Sequence, residues 1–494
     1  MIARLSRLLS SRSVVSGAAL YVGMRWFDRL IGVISTIVLA RLLTPDDFGI
    51  VALASVVMGL AVVMLDLGIH IAVVQKSGLD RDDLDTAWTI RLIQNAIIAM
   101  GLAAIAVPAA GYYGDARLEP VLWVLALAYL LDGFTGMGPV VFQKRQQYAR
   151  EVAFYAAKRL FGFLVTMVLA CALRSYWALV VGTLLGNVGG VVLSHLMYRQ
   201  LPRFTLTRWR GFVGASFWLA LRTMATFASQ ELDKFVVGRR DGTAVLGGYA
   251  IASQIAAMPT SELLAPLSRA LFPALAAIKE DEAALSRMFL LALGIQCALA
   301  LPAAAGLAMV AGDLVPVMLG ETWVDAAPIL AALALAFGAN ALTHSGNYLL
   351  MTLGRYRAQS LLQWALAASL AVLMFVAYPE SGAVQIAWFR VALALGSILA
   401  ITVLSLRCLP RVGISDLWSF VRRPILATLI MVAVLAALAG PCASLSAWAA
   451  LSVKVLAGVS VYAVTLLALW RGAGWPDGAE RWMLGRLRAL VSRA

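Results

Sequence analysis

Two arginines and one aspartate lie within the first long apolar run of the sequence. Arg25, Asp28 and Arg29 are spaced so that a helix places all three on one face. A charge near the centre of a bilayer costs at least ~2.5–3.5 kcal/mol, so this face is expected to line a cavity or to pack against another helix. Guanidinium groups bind diphosphate oxygens through paired hydrogen bonds. The spacing therefore indicates either an anion-binding surface or ion pairs that lock a helix bundle.

A second group of charges lies in a later apolar run and has the same two interpretations. Its members are Arg222, Glu231, Asp233 and Lys234. Two isolated carboxylates in apolar runs, Asp66 and Glu262, are candidates for a coupling-ion or proton site. Five further cations in apolar runs are expected to extend toward the nearer membrane surface. They are Arg91, Lys158, Arg159, Arg269 and Arg390.

The other residue types give little sign of catalytic or metal chemistry. The four cysteines stand singly and are expected to be small apolar residues. The three histidines lack the spacing of metal ligands. The phosphate-binding pattern G-x-x-x-x-G-K-[ST] is missing from the sequence. We therefore expect no catalytic residue, no metal site and no cofactor.

The elements that must position these charges are transmembrane helices. Of the 494 residues, 62% are hydrophobic and only 13% are charged, about half the share that a soluble protein carries. Runs of ~20 apolar residues are long enough to span a bilayer. They predict an all-α polytopic membrane protein of about fourteen transmembrane helices. The predicted spans are 15–40, 47–71, 86–111, 118–142, 151–173, 176–198, 211–238, 244–272, 286–310, 325–350, 358–378, 384–407, 424–440 and 446–470.

The basic residues outside these spans concentrate in the two tails and in alternate loops. Because cytoplasmic loops carry the excess of Lys and Arg, this pattern places both termini in the cytoplasm of a bacterial inner membrane. The net charge of +14 then reflects membrane orientation, and we expect no nucleic-acid partner.

Helix starts and interruptions can also be recognised in the sequence. Thr44-Pro45-Asp46-Asp47 has the pattern of a capping box with proline at the first helical position, and Thr322-Trp323-Val324-Asp325 has the same Thr-x-x-Asp spacing. Breaks that permit bending are expected at 133–139 (GFTGMGP), Met258-Pro259 and Ala265-Pro266.

Residues 38–54 align without gaps to residues 236–252, which indicates an internal repeat. Arg41 matches Arg239 and Gly49 matches Gly247. Parallel repeats of this kind predict two pseudo-symmetric six-helix lobes, 1–210 and 211–410. Residues 411–494 would then add two extra helices and a cytoplasmic tail. In this alignment Arg222 falls close to the position equivalent to Arg25.

Several of these segments resemble signatures of a known superfamily. The stretches 40–49 (ARLLTPDDFG) and 320–328 (GETWVDAAP) are similar to the polysaccharide-transport branch of the multidrug/oligosaccharidyl-lipid/polysaccharide (MOP) exporters. Asp66-Leu67-Gly68 followed by Val73-Val74-Gln75-Lys76, and Leu271-Phe272-Pro273-Ala274, also fit that branch.

The resemblance implies a Wzx-type flippase that works by alternating access through a basic central cavity. Such proteins move undecaprenyl-diphosphate-linked oligosaccharide units across the inner membrane for O-antigen, capsule or exopolysaccharide synthesis. It also implies partners: the lipid-linked oligosaccharide, membrane lipids, and the polysaccharide polymerase and chain-length regulator. Arg269 becomes a substrate-binding candidate, because flippase-type members use an arginine in the equivalent helix.

Two alternatives remain open from the sequence. A polymerase or ligase of polysaccharide assembly would need a large segment outside the membrane, and the predicted loops are short. A cation-drug antiporter of the same superfamily would need mainly acidic residues in its cavity and usually has twelve helices.

Overall fold

The described part of the chain is built of helices. The computed structural model describes residues 12–65, 73, 76, 78, 80–199, 202–209 and 216–491. Within these ranges the chain forms seventeen α-helices, and none of the described residues lies in a strand. The all-α class predicted from composition is confirmed.

The chain divides into two compact units, with the boundary between Gly247 and Gly248. The first unit contains eight complete helices and the start of a ninth, α9 (Gly242–Ala277). The eight are α1 (Arg12–Leu42), α2 (Pro45–Leu65), α3 (Arg81–Tyr113), α4 (Leu118–Asp132), α5 (Gly138–Lys144), α6 (Tyr148–Leu173), α7 (Trp177–Met197) and α8 (Ser216–Arg240). The lobe boundaries 1–210, 211–410 and 411–494 stay predictions.

The second unit contains the rest of α9 and eight further helices. These are α10 (Glu282–Met318), α11 (Ala326–Ala341), α12 (His344–Thr352), α13 (Tyr356–Val372), α14 (Ala383–Cys408), α15 (Ile414–Cys442), α16 (Ala447–Gly472) and α17 (Ala479–Val491). Helix α10 packs against α11, α15 and α16, and α11 packs against α14. A π-helical turn, Leu373–Ala377, follows α13.

Within the described residues the predicted spans fall largely on helix, but the details differ. Ten segments of the described chain are long and apolar enough to cross a membrane. The count of fourteen remains a prediction. The break expected at 133–139 is confirmed, because α4 ends at Asp132 and α5 begins at Gly138. The breaks expected at Pro259 and Pro266 are wrong, since α9 continues through both prolines.

The C-terminal segment is more structured than the predicted tail. Helix α15 begins ten residues before the predicted span, so Arg423 lies inside it. The Arg423 guanidinium lies 3.1 Å from the Glu480 carboxylate of α17, and both side chains are buried. This pair connects α17 to α15. Removal of either partner would leave a buried charge without its counter-charge and would therefore destabilise the unit.

Small residues bring α6 and α7 of the first unit into close contact. Gly162 and Gly186 face each other at van der Waals distance, and a β-carbon on Gly182 would overlap the side chain of Thr166. Close backbone approach of this kind is how helices associate in lipid, where apolar burial alone gives no driving force. The contact fixes the position of α6, which carries Lys158 and Arg159.

Candidate functional site: a polar cavity at a broken helix

The interruption between α4 and α5 lies in the interior of the fourth predicted span. Segment 133–139 contains three glycines and a proline, and these residues are the least favourable in a helix interior. The helix therefore stops at Asp132 and restarts at Gly138. A helix end leaves backbone carbonyls without intrahelical partners, and within a membrane these carbonyls need other donors.

Side chains from neighbouring helices supply part of this bonding. The Asn95 amide of α3 donates to the Tyr129 carbonyl at 3.1 Å. The Gly136 N–H in the break donates to the Ser194 hydroxyl of α7 at 2.9 Å. The broken helix is therefore held by specific polar contacts with α3 and α7.

The Asp132 carboxylate lies at the end of α4 between two cations from different helices. Arg91 of α3 contacts one carboxylate oxygen at 2.8 Å, and Lys158 of α6 contacts the other at 3.1 Å. Arg91 also donates to the Asp132 carbonyl at 3.4 Å. Cations are stabilised at a helix C-terminus by the helix dipole as well as by the carboxylate. The cluster keeps one net positive charge.

The packing of α6 on α7 positions Lys158. A β-carbon on Gly190 of α7 would lie 2.7 Å from the Lys158 Cε. The lysine stem therefore runs across the bare backbone at Gly190 to reach Asp132. Arg91 lies almost three turns into α3, ~15 Å from the first residue of that helix. The three charges thus meet far from the start of α3, and their side chains are partly buried.

A cavity of about 350 Å³ lies beside this cluster. Its lining is Val62, Val73, Arg91, Gln94, Asn95, Tyr129, Asp132, Thr135, Gly136, Met137, Pro139, Val140, Phe154, Tyr155 and Lys158. The Thr135 hydroxyl is buried and has no hydrogen-bond partner among the described residues. The ammonium and guanidinium groups have more N–H donors than Asp132 can accept. The cavity therefore has the chemistry of an anion site that also holds polar groups.

One of the charges predicted on α1 contacts a cation of another helix. Asp28 contacts Arg159 of α6 at 2.9 Å, and the expectation that Arg159 extends toward the membrane surface stays a prediction. Arg91 and Lys158 pair with Asp132, and the same expectation for these two residues stays a prediction. Arg25 and Arg29 are half-buried on α1. Their role in substrate binding stays a prediction.

The predicted cluster on α8 contains a local ion pair. Lys234 contacts Glu231 at 2.8 Å, one turn away on the same helix. Asp233 is buried, and its carboxylate accepts the backbone N–H of Lys234 at 2.9 Å. These contacts agree with the structural interpretation of the cluster and leave the substrate-binding one untested.

Four further candidates contribute little to the described geometry. Asp66 and the side chains of Arg222 and Arg269 lie outside the described residues. Glu262 is half-buried on α9, and the Ser261 hydroxyl donates to it at 3.5 Å. All four roles stay predictions.

The repeated junctions pack against each other within the first unit. A β-carbon on Gly49 would overlap the Thr243 carbonyl oxygen, and one on Gly247 would overlap the Pro45 carbonyl oxygen. Pro45 and Thr243 are themselves equivalent in the repeat alignment. Each copy therefore places its glycine against the same position of the other copy, which is the reciprocal pattern of a twofold contact.

The capping pattern at the first junction is confirmed, and the second one is wrong. The Thr44 hydroxyl and N–H both donate to Asp47, at 2.7 and 2.9 Å, and the Asp47 N–H donates back to Thr44 at 3.3 Å. By contrast, Glu321–Trp323 forms a 3-10 turn, and α11 begins without a side-chain cap. Gly320 precedes that turn with φ 110°, and this conformation replaces the expected helix start.

An arginine holds the first junction from the loop after α3. Arg117 contacts Asp46 at 2.5 Å and Asp115 at 2.7 Å. The Arg117 guanidinium holds the pKa of Asp115 below its ordinary value, chiefly through that hydrogen bond. Thr243 also donates to Asp46, so Asp46 joins the two repeated junctions.

The sequence interpretation missed Asp132, which is the centre of the candidate site. The signal was present, because a carboxylate directly before GFTGMGP ends a half-helix inside a predicted span. A half-helix end at membrane depth is where transporters build their sites. The identity of its partners, Arg91 and Lys158, depends on helix packing and could not be inferred from spacing along the chain.

Comparisons with known proteins relate this chain to polysaccharide biosynthesis. A family model described as polysaccharide biosynthesis protein matches residues 38–328. The lipopolysaccharide biosynthesis protein WzxC of Escherichia coli K12 is 24% identical over 313 residues, covering 62% of this chain and 63% of WzxC. The succinoglycan biosynthesis transport protein ExoT of Rhizobium meliloti 1021 is 24% identical, covering 69% of each chain. The match thus spans less than two thirds of WzxC.

Two groups of solved structures share the fold. The lipid II flippase MurJ in an inward closed conformation matches with a TM-score of 0.73 and 12% identity, covering 92% of this chain and 99% of MurJ. An inward-facing multidrug resistance MATE transporter of the MOP superfamily matches with a TM-score of 0.59 and 16% identity, covering 79% and 96%. At these identities the likeness is one of fold alone.

The apolar helices and the relatives agree on the class of protein. Ten segments of the described chain are long and apolar enough to cross a membrane, and the two bacterial relatives are named for lipopolysaccharide biosynthesis and for succinoglycan biosynthesis transport. The chain is a multi-pass protein of the bacterial inner membrane. Because the family model covers more than half of its length, the chain belongs to the polysaccharide biosynthesis protein family.

Proposed function

We propose that the protein is a flippase that moves undecaprenyl-diphosphate-linked oligosaccharide units across the inner membrane. The observation that carries this proposal is the basic cavity at the break between α4 and α5. Family membership supports it, as do the names of ExoT, a transport protein, and MurJ, a lipid flippase. Transport of this kind forms and breaks no covalent bond.

The cavity offers groups that suit a glycosyl diphosphate. Arg91 and Lys158 can each turn remaining N–H donors toward phosphate oxygens, and their attraction is stronger in a low-dielectric cavity than in water. The amides of Gln94 and Asn95, which line the cavity, can bond to sugar hydroxyls. Asp132 keeps both cations in place and neutralises one of their two positive charges, so that binding of the diphosphate stays reversible.

The predicted charges outside this cavity remain part of the proposal. Four arginines would assist in diphosphate binding: Arg25, Arg29, Arg222 and Arg269. The path of the substrate across the membrane would also be lined by Asp28, Glu231, Asp233 and Lys234. Asp66 and Glu262 would serve ion coupling. We further propose that both termini are cytoplasmic and that the polymerase and chain-length regulator are protein partners.

The experiment that tests this function uses a strain from which the gene has been deleted. Surface polysaccharide and lipid-linked precursor are measured after complementation with the wild type, Arg91→Gln, Lys158→Gln or the exposed control Lys279→Gln. We expect loss of polymer and accumulation of precursor with the two cavity variants, and normal export with the control.

Each other result has a defined meaning. Full export by a double variant, Arg91→Gln with Lys158→Gln, would overturn the site. Export of single, unpolymerised units by the deletion strain would indicate an enzyme of polymerisation. Drug sensitivity with unchanged polysaccharide would indicate a cation-drug antiporter.

A further inference from the structure

An apolar groove of about 570 Å³ lies in the first unit, and its lining includes other residues of the broken helix than those that line the polar cavity. Its lining is Trp88, Leu131, Phe134, Val188, Val191, Val192, His195, Pro202 and Phe204. The volume is in the range of ~300–1,000 Å³ that holds a small-molecule ligand. Four different parts of the chain build it: α3, the end of α4 with the break, α7, and segment 202–209.

Specific contacts hold segment 202–209 in place as one wall. The Thr205 N–H donates to the Thr89 hydroxyl at 3.1 Å. Arg208 contacts Asp80 at 3.1 Å and the buried Asp83 at 3.3 Å. Opposing negative charge raises the pKa of Arg208, chiefly through Asp83. The wall is therefore attached to the start of α3 by several contacts and gives the groove a defined shape.

Aromatic rings and branched side chains make the inner surface of the groove stiff. The Trp88 ring packs edge-on against Phe204 and Phe134, with centroids 5.1 and 6.5 Å apart. Val188, Val191 and Val192 follow along α7, and valine has few rotamers in a helix. Since lipid tails are as apolar as these side chains, burial in the groove gives no hydrophobic gain. Selection must come from shape, and a surface of aromatic rings and β-branched side chains offers ridges and gaps that suit a methyl-branched, unsaturated chain.

The groove and the polar cavity share the segment around the break. Leu131 and Phe134 line the groove, whereas Asp132 and Thr135 line the cavity. On α3, Trp88 of the groove lies one turn from Arg91. A ligand with an apolar chain and an anionic end could therefore occupy both spaces at once, across residues 131–135.

We propose that this groove binds the isoprenoid chain of the lipid-linked substrate next to its diphosphate. The proposal rests on the proposed flippase function and adds a tail-binding surface to it. The chain would occupy the groove along α7, and the diphosphate would pass the break at Phe134 to reach Arg91 and Lys158. Substrate recognition would then include the lipid, so that one flippase could carry different sugars on the same carrier.

The first test is site-specific photo-crosslinking of the full chain in nanodiscs. Benzoylphenylalanine is placed at Val192 in the groove or at Val168, an exposed position of α6 outside it. The probes are undecaprenyl diphosphate and a palmitoyl-oleoyl phosphatidylglycerol. We expect saturable labelling at Val192 by undecaprenyl diphosphate that excess phosphatidylglycerol does not displace, and unsaturable labelling at Val168 by both lipids. Equal labelling of both positions by both lipids would overturn the proposal and show a bulk-lipid surface.

The second test measures export in the deletion strain. Val192→Trp fills the groove, and Val168→Trp adds the same volume outside it, at equal expression. We expect a severalfold loss of surface polysaccharide with Val192→Trp and none with Val168→Trp. If the deletion strain still makes polymer, the flippase function itself fails. If deletion abolishes polymer but Val192→Trp exports normally, only the groove proposal fails.

Discussion

Substitution of Asp132 by asparagine should destabilise the first unit of the protein. Asp132→Asn keeps the size and the backbone of the helix end but removes the charge between Arg91 and Lys158. Two cations would then face each other without the carboxylate that contacts them at 2.8 and 3.1 Å. The expected result is a less stable but folded protein with reduced export.

The burial of the cluster sets the size of this effect. Removing one partner of a fully buried ion pair costs ~3–5 kcal/mol, whereas an exposed pair contributes only ~0.2–1 kcal/mol. The three side chains retain 21–31% of their exposure. We therefore expect a loss of about 2 kcal/mol, between these limits, which corresponds to ~4–8 °C in thermal midpoint for a unit of this size. Fluorescence-monitored unfolding of the purified protein in detergent measures the shift.

Lys158→Gln separates the role of the cluster in binding from its role in stability. This variant keeps the Arg91–Asp132 pair and reduces the net charge of the cluster from one positive to zero. Export should fall while the thermal midpoint stays within about 2 °C of wild type, since one intact pair remains. The surface control Lys279→Gln should change neither quantity. A stable Asp132→Asn protein together with full export by Lys158→Gln would refute both the structural and the functional role of the cluster.

Two further predictions concern the junction of the repeats. Gly247→Ala should cost ~1–3 kcal/mol, because its β-carbon overlaps the Pro45 carbonyl, while Gly101→Ala, where nothing lies within 4 Å, should gain up to ~1 kcal/mol. Thermal unfolding of both variants checks this, and equal midpoints would contradict it. Because Arg117 lowers the pKa of Asp115, the pair stabilises the protein above the ordinary carboxyl pKa and loses that effect as pH falls through the lowered value. The midpoint of Arg117→Gln should therefore lie below wild type at pH 7 and approach it below about pH 4; a difference that grows in acid would contradict this sign.

The helices could be predicted from sequence because the bilayer imposes their length and apolarity. Within the described residues the predicted spans fall largely on helix, and the break at 133–139 followed from three glycines and a proline in seven residues. The predicted span 424–440 begins ten residues later than α15, which starts at Ile414 and includes Arg423. The Glu480 carboxylate, which pairs with Arg423 in the fold, lies far from it in the sequence.

The candidate site could be predicted only in part because its charges come from separate helices. The position of Asp28 inside a predicted span correctly indicated that its charge needs a partner. The sequence did not identify Arg159 of α6 as that partner. Lys158 and Arg159 are neighbours in sequence, yet they pair with different helices. Which cation meets which carboxylate depends on how α6 packs against α1, α4 and α7. The periodicity of a sequence indicates which residues share a helix face but not which helix that face contacts.

Translocation by the purified protein tests the flippase proposal most directly. Lipid-linked oligosaccharide extracted from the deletion strain is placed in both leaflets of vesicles, with or without the protein. A membrane-impermeant periodate reagent then oxidises the sugars that it can reach from outside. We expect the protected inner pool to become accessible only in vesicles with wild-type protein, and more slowly with Lys158→Gln. An inner pool that stays protected in vesicles containing folded wild-type protein would contradict the proposed function.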